Sequence, residues 1–138
     1  MNINSLIITF ALISISCSTL MPQGWINNDT FRVYGTGYSK NTSFNAVQRH
    51  NSACKAAELE AQANVIIKLA GITSHSVSGK YSIEETKNKI ITRFSGTIRG
   101  GQIVQQVYNK NDGKCTVVYQ IKEKNLKIKF KKYVRSIR

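Results

Sequence analysis

Three cysteines, two histidines and seven acidic residues are the groups in this 138-residue chain with chemistry to offer. Cys54 stands four residues after His50, so a helix would make them neighbours and allow an imidazole-activated thiolate nucleophile. An exported thiol is more often paired, which favours a structural use of Cys54. Glu58 and Glu60 are two apart, which on a helix turns them to different faces and denies them a shared proton. Neither His50 nor His75 belongs to a metal-ligating set, and both read as ordinary, partly exposed side chains. Gly35-Thr36-Gly37 begins like a dinucleotide-binding turn, but Lys40 stands where the third glycine belongs and no parallel βαβ unit with an acidic ribose ligand is evident. Close packing is the expected use of these glycines. No catalytic residue, metal or cofactor is assigned, and no enzyme is expected.

Cys17 has a different setting. It follows Leu6 to Ile15 (LIITFALISI), a run that is apolar but for Thr9 and Ser14. As a helix that run spans ~15 Å, about half of a bilayer's hydrocarbon core, so residues 1–16 read as an export signal. The residues before it carry no Lys or Arg. Ser14 and Ser16 suit an ordinary signal peptidase cutting before Cys17; Ile15-Ser16-Cys17 also resembles a bacterial lipobox, with Ser14 where a large aliphatic residue is preferred. On the second reading Cys17 receives a diacylglycerol, residues 17–30 are a lipidated tether, and Ser18 resembles the sorting pattern of outer-membrane lipoproteins. Lipidation of Cys17 leaves Cys54 and Cys115 as an even pair in an oxidising compartment, so a disulfide between them is expected, with two buried thiols as the alternative.

The elements that must position these groups follow from periodicity. Ser18 to Thr30 holds the only proline, Pro22, and shows no period; Trp25 reads as a cover for the first strand. Phe31 to Tyr38 alternates, with Phe31, Val33, Gly35 and Gly37 on the inward face, where glycine leaves room for a helix. That helix is expected from about Asn45 to Ala70 after capping groups at Asn41-Thr42-Ser43, with Ala46, Arg49, Ala53, Ala56, Leu59, Glu60, Ala63, Ile66, Ile67 and Ala70 on its packed face and Gly71 as its stop. Ile72 to Ser78 reads as a strand, and Ser82 to Phe94 as a shorter helix with Glu84 and Glu85 in its first turn. Gln102 to Tyr108 and Lys114 to Ile121 form a hairpin across Asp112-Gly113. The expected class is α+β: strand, helix, strand, helix, hairpin, with both helices on one face of an antiparallel sheet and residues 31–138 forming one domain.

Twenty Lys and Arg against seven Asp and Glu give a net charge of +13, which favours acidic partners. The tail 122–138 (KEKNLKIKFKKYVRSIR) supplies eight of those cations against Glu123. Leu126, Phe130, Tyr133, Val134 and Ile137 fall at helical spacing, which makes a basic amphipathic C-terminal helix the favoured reading over a strand. Lys127, Lys131, Lys132 and Arg135 are the candidates for binding an anionic partner, either from a docked helix or from one whose apolar face enters a membrane interface.

Tyr34-Gly35-Thr36-Gly37, Lys55-Ala56-Ala57-Glu58-Leu59-Glu60-Ala61-Gln62 running into Leu69-Ala70-Gly71, Gly96-Thr97-Ile98-Arg99-Gly100 and Asp112-Gly113 together resemble the LPP-twenty family of bacterial lipoproteins, the FlgP-like proteins related to part of FlgT. The resemblance covers about ninety of the 138 residues. It implies a non-enzymatic α+β lipoprotein of the cell envelope, at the outer membrane facing the periplasm or surface, acting as a structural or assembly component of a structure such as the flagellum. Implied partners are the membrane through the lipid anchor and other proteins of an envelope assembly, a homo-oligomer among them. The alternative from charge is a soluble periplasmic or secreted binder of an anionic lipid, glycan or nucleic acid, with nucleic acid least favoured. The basic tail is not a recognised feature of the family.

Overall fold

The computed structural model describes residues 19–76 and 79–138. The elements run β1 (Gly24–Trp25), β2 (Thr30–Tyr38), α1 (Ala46–Ser76), α2 (Ile83–Arg99), β3 (Gln102–Asn109), β4 (Lys114–Lys122) and α3 (Leu126–Ser136). The class is α+β: a four-stranded antiparallel sheet in the order β1-β2-β4-β3, with three helices of which α1 is much the longest.

The alternation in β2 has its expected consequence. Phe31, Val33, Gly35 and Gly37 face α1 and are buried, and the strand pairs with β4 from Thr30 opposite Lys122 to Tyr38 opposite Lys114. A Cβ built on Gly35 would lie 2.1 Å from the Ala57 carbonyl oxygen. The glycines therefore serve helix packing, and the strand beside them runs antiparallel, unlike a dinucleotide-binding unit.

The packed face of α1 differs from the expected one. Ala53, Ala57, Ala61, Val65 and Leu69 are buried at four-residue spacing, whereas Ala56, Leu59, Ala63 and Ile67 are exposed. Apolar residues surround this helix, so hydrophobic periodicity does not select a face; the ridge of small side chains that fits the glycine floor of β2 does. The start is set by Asn45, whose Oδ1 accepts the Gln48 N–H at 2.9 Å while its own N–H donates to Gln48 Oε1 at 3.0 Å. Residues 41–43 precede this cap.

Gly71 does not stop α1, and residues 72–76 of the strand expected over Ile72 to Ser78 are instead the end of the helix, residues 77 and 78 lying outside the described residues. Leu69, Ala70 and Thr73 are buried there, and this packing outweighs the ~1 kcal/mol that an interior glycine costs a helix. Gly96 is likewise inside α2, which continues beyond Phe94 to Arg99. Its start carries a reciprocal capping box, Ser82 Oγ accepting the Glu85 N–H at 3.1 Å and Glu85 Oε2 accepting the Ser82 N–H at 2.7 Å. Ile90, Phe94 and Ile98 of α2 join the core, and the Tyr119 hydroxyl donates to the Ile98 carbonyl at 2.8 Å.

The stretch expected to be a tether lies against the sheet from residue 19 onward. Gly24 and Trp25 form β1 on Arg32 and Phe31. Before them the chain crosses the sheet face opposite the helices. Tyr34, Val118 and Gln105 stand abreast on β2, β4 and β3. The Met21 N–H donates to Gln105 Oε1 at 2.8 Å, the Tyr34 hydroxyl donates to the Met21 carbonyl at 2.6 Å, and Gln105 Nε2 donates to the Thr19 carbonyl at 3.2 Å. Val118, between the two outer anchors, is fully buried.

Candidate functional site: the cationic helix α3

The turn between β4 and α3 is tied to the β1–β2 loop. The Glu123 N–H donates to the Asp29 carbonyl at 2.9 Å, the Asn125 N–H to Asp29 Oδ1 at 2.7 Å, and the Lys127 N–H to the Asn28 carbonyl at 2.8 Å. Asn125 takes the left-handed conformation at φ 58°, which its short polar side chain tolerates. The first amides of α3 thus find partners in the body of the protein.

Leu126, Phe130 and Val134 are buried along one side of α3. The Phe130 ring lies 6.0 Å from Trp25 and 5.9 Å from Phe94, and Tyr133 stands edge-on to Phe94 at 5.7 Å while its hydroxyl donates to the Lys89 carbonyl at 3.1 Å. This apolar stripe belongs to the core, so it is not free to enter a lipid interface. Of the four candidate residues, Lys131, Lys132 and Arg135 are exposed. Lys127 is half-buried, with its ammonium 6.0 Å from the Trp25 ring centre.

Two clefts flank the helix. One, about 630 Å³, is lined by Arg93, Lys129 and Lys132 together with Glu123 and Tyr133. The other, about 290 Å³, is lined by Lys131, Arg135 and Arg138 over Phe130 and Val134. Glu123 organises the first: it bonds the Lys129 ammonium and accepts the Thr97 hydroxyl at 2.5 Å. Those two bonds, chiefly the one to Lys129, hold its carboxyl below the ordinary carboxylate value against the opposing effect of burial. One carboxylate against this many cations leaves the surface cationic and suited to phosphate or carboxylate groups.

The other sequence candidates have structural partners. Cys54 and Cys115 are at disulfide distance, S–S 2.06 Å with Cα atoms 5.0 Å apart. His50 Nε2 lies 3.9 Å from Cys54 Sγ, but a sulfur so bonded offers no thiolate, and the imidazole stands edge-on to Tyr108 at 4.6 Å. Glu58 pairs with Lys55 at 2.7 Å, whereas Glu60 accepts the backbone N–H and hydroxyl of Thr36. The two glutamates serve different partners, as their spacing requires. Among the described residues no group of three or more His, Cys, Asp or Glu could hold a metal, and no helix is long and apolar enough to cross a membrane. Cys17 and the export signal 1–16 lie outside the described residues.

A third cleft went unread in the sequence. It measures about 620 Å³ and is lined by Ser39, Arg49, His50, Tyr108, Lys110 and Asp112 at one end of the sheet. Its walls come from the start of α1 and the β3–β4 turn, which only the antiparallel pairing brings together, so no local signal could have marked it. No known protein family, curated protein or solved structure matches this chain.

Proposed function

We propose that this chain is a non-enzymatic structural or assembly component of the bacterial cell envelope, exported, anchored by lipid at Cys17 in the outer membrane, and engaging an anionic partner through α3. The LPP-twenty resemblance supports the envelope role and its association with assemblies of the flagellar kind. One observation carries the α3 reading: its apolar side is used in the core, and Lys131, Lys132 and Arg135 are left projecting to solvent. A terminal helix with that division of labour presents fixed charge without exposing an apolar face.

The segment Thr19 to Met21 and the helix α3 lie on different sides of the sheet. Trp25 stands beside Phe31 on the helix side and touches Phe130, whereas Thr19 to Met21 cross the opposite face. This arrangement supports a bridging role, with the membrane on one side and an anionic glycan or protein partner on the other, in preference to two anchors in one bilayer. The soluble-binder reading keeps the same use of α3 without the lipid.

Intact-mass analysis of the membrane fraction separates them. The expected species begins at Cys17 and carries diacylglycerol, and it partitions into detergent. An unmodified N-terminus between Ser18 and Trp25 in a salt-released fraction overturns the anchor and leaves the soluble binder.

A further inference from the structure

Lys68, Gly71, Ile72 and His75 follow the i, i+3, i+4, i+7 spacing of one helix face and lie near the end of α1. That face forms one wall of an apolar cleft of about 390 Å³, and Gly24, Trp25 and Phe31 of β1 and β2 form the other. Two glycines keep the cleft open: a Cβ built on Gly24 or on Gly71 would meet nothing within 4 Å. Trp25 is half-buried against Phe31, their ring centres 4.8 Å apart, and Ile72 is 41% exposed.

Ile72 also lines the neighbouring cleft of about 290 Å³ under Lys131, Arg135 and Arg138. The two clefts therefore meet at Ile72 and make one surface between the end of α1, β1 and α3. Its middle is apolar, with Lys68 on one side and Lys131, Arg135 and Arg138 on the other. No acidic residue lines either cleft, and none of these four cations is in an ion pair among the described residues. An apolar centre inside a polar rim is the anatomy of a protein–protein contact.

We infer that this surface binds an acidic peptide segment of a protein partner, with one aliphatic or aromatic side chain seated between Trp25 and Ile72 and carboxylates meeting the cations on either side. The inference rests on the reading that α3 engages an anionic partner, and it names that partner. Charge selects an acidic segment over a basic or neutral one. The apolar centre selects a peptide over a glycan, which brings anionic groups but no aliphatic anchor. A recess between a helix and a strand suits a single side chain, not the flat array of headgroups that a membrane presents.

Trp25 is the only tryptophan in the chain, so its fluorescence reads the cleft directly. Two probes of equal charge are compared: a short run of glutamates with one central leucine, and the same peptide with glycine in place of the leucine. At low salt the leucine peptide should bind the mature chain roughly tenfold or more tightly by calorimetry, as burial of one aliphatic side chain implies. It should also shift Trp25 emission to the blue and shield it from acrylamide. Gly71→Leu fills the cleft from α1, is favourable to the helix and keeps every cation, so it should remove the preference for leucine, with circular dichroism reporting the fold. Changing Lys131, Lys132 and Arg135 to Gln should weaken both peptides together, which tests the α3 reading separately. Dextran sulfate and vesicles of anionic phospholipid should bind through the cations and be indifferent to Gly71→Leu; sensitivity of either would give the cleft to a glycan or a membrane and overturn the proposal. Equal affinity for the two peptides would overturn it while leaving the charge reading of α3 standing. A preference for leucine that survives Gly71→Leu would overturn it too, as would a Trp25 already shielded in the free chain, which would assign the cleft to another segment of the same chain. Binding of neither peptide would overturn both readings.

Discussion

Gly37 sits so close to α1 that a Cβ built on it would lie 2.1 Å from the carbonyl oxygen of Ala53. Cys115 is the register partner of Gly37, and Cys54 follows Ala53 in the helix. The missing side chain at 37 therefore sets the height at which α1 rides over the sheet, and that height brings the Cα atoms of Cys54 and Cys115 to 5.0 Å. Gly37→Ala must lift the helix, because its obstacle is backbone and cannot turn aside. The expected loss is about 3 kcal/mol, the upper part of the overpacking range, read from urea midpoints at constant slope. An unchanged midpoint would remove the glycine floor as the cause of the close approach.

Gly71→Ala should have the opposite sign. A Cβ at Gly71 meets nothing within 4 Å, its φ is not left-handed, and the helix continues to Ser76. Alanine there should add about 0.5 to 1 kcal/mol by restricting the unfolded chain and favouring the helix. A destabilised variant would mean that α1 ends at residue 71 in solution.

These glycines mark how far the sequence could be read. The alternation of β2, its inward glycines, the first turn of α2 with Glu84 and Glu85, and the Asp112-Gly113 hairpin are local patterns with local causes, and each stands where expected. Gly71 misled because a glycine ends a helix only where neither packing nor hydrogen bonding favours another turn, and Gly96 lies inside α2 for the same reason. Buried Thr73 and Ile98 lie beyond them, and that burial is a property of the assembled core. The facing of α1 was illegible for a related reason, since alanines lie on all its sides. At the candidate site, charge and spacing named the residues of α3; that Lys127 lies over Trp25 depends on β1, which two residues without a period could not announce.

The Cys54–Cys115 pair closes a loop across a sequence separation of 61. In the chain-entropy account a crosslink of that span stabilises by about 4 kcal/mol. Denaturation with and without reductant should show a loss of that order, and mass mapping of the unreduced chain should find the two cysteines in one crosslinked peptide. Complete alkylation of both thiols in non-reducing denaturant would reject the bridge.

Glu123 should give the domain an acid limb. Its carboxyl is held below the ordinary value of 4.5, so its contribution is present above that pH and is lost as pH falls through the lower, folded value. Glu123→Gln should lower stability at neutral pH, by about 1 kcal/mol for a partly exposed pair, and flatten the fall toward acid. Wild type and variant should converge once the wild-type carboxyl is protonated. Parallel curves across the acid range would show that the bonds to Lys129 and Thr97 carry no linkage.

The four candidate cations of α3 divide into one and three. Lys127 is half-buried with its charge over Trp25, a contact of about 0.5 to 1 kcal/mol, so Lys127→Gln should cost stability and change binding little. Lys131, Lys132 and Arg135 are exposed, so changing all three to Gln should leave the urea midpoint within about 0.5 kcal/mol. Binding to an anionic surface should respond the other way. At up to ~1 kcal/mol for each cation, the triple variant should lose up to about a hundredfold in affinity for vesicles rich in anionic lipid, with a shallower salt dependence. Vesicles are a probe of charge here and equally report a phosphorylated glycan, because the docked face of Phe130 and Val134 contributes no insertion. Binding that survives the triple substitution but fails with Val134→Asp would mean that α3 undocks and enters the interface, which would overturn the fixed-charge reading.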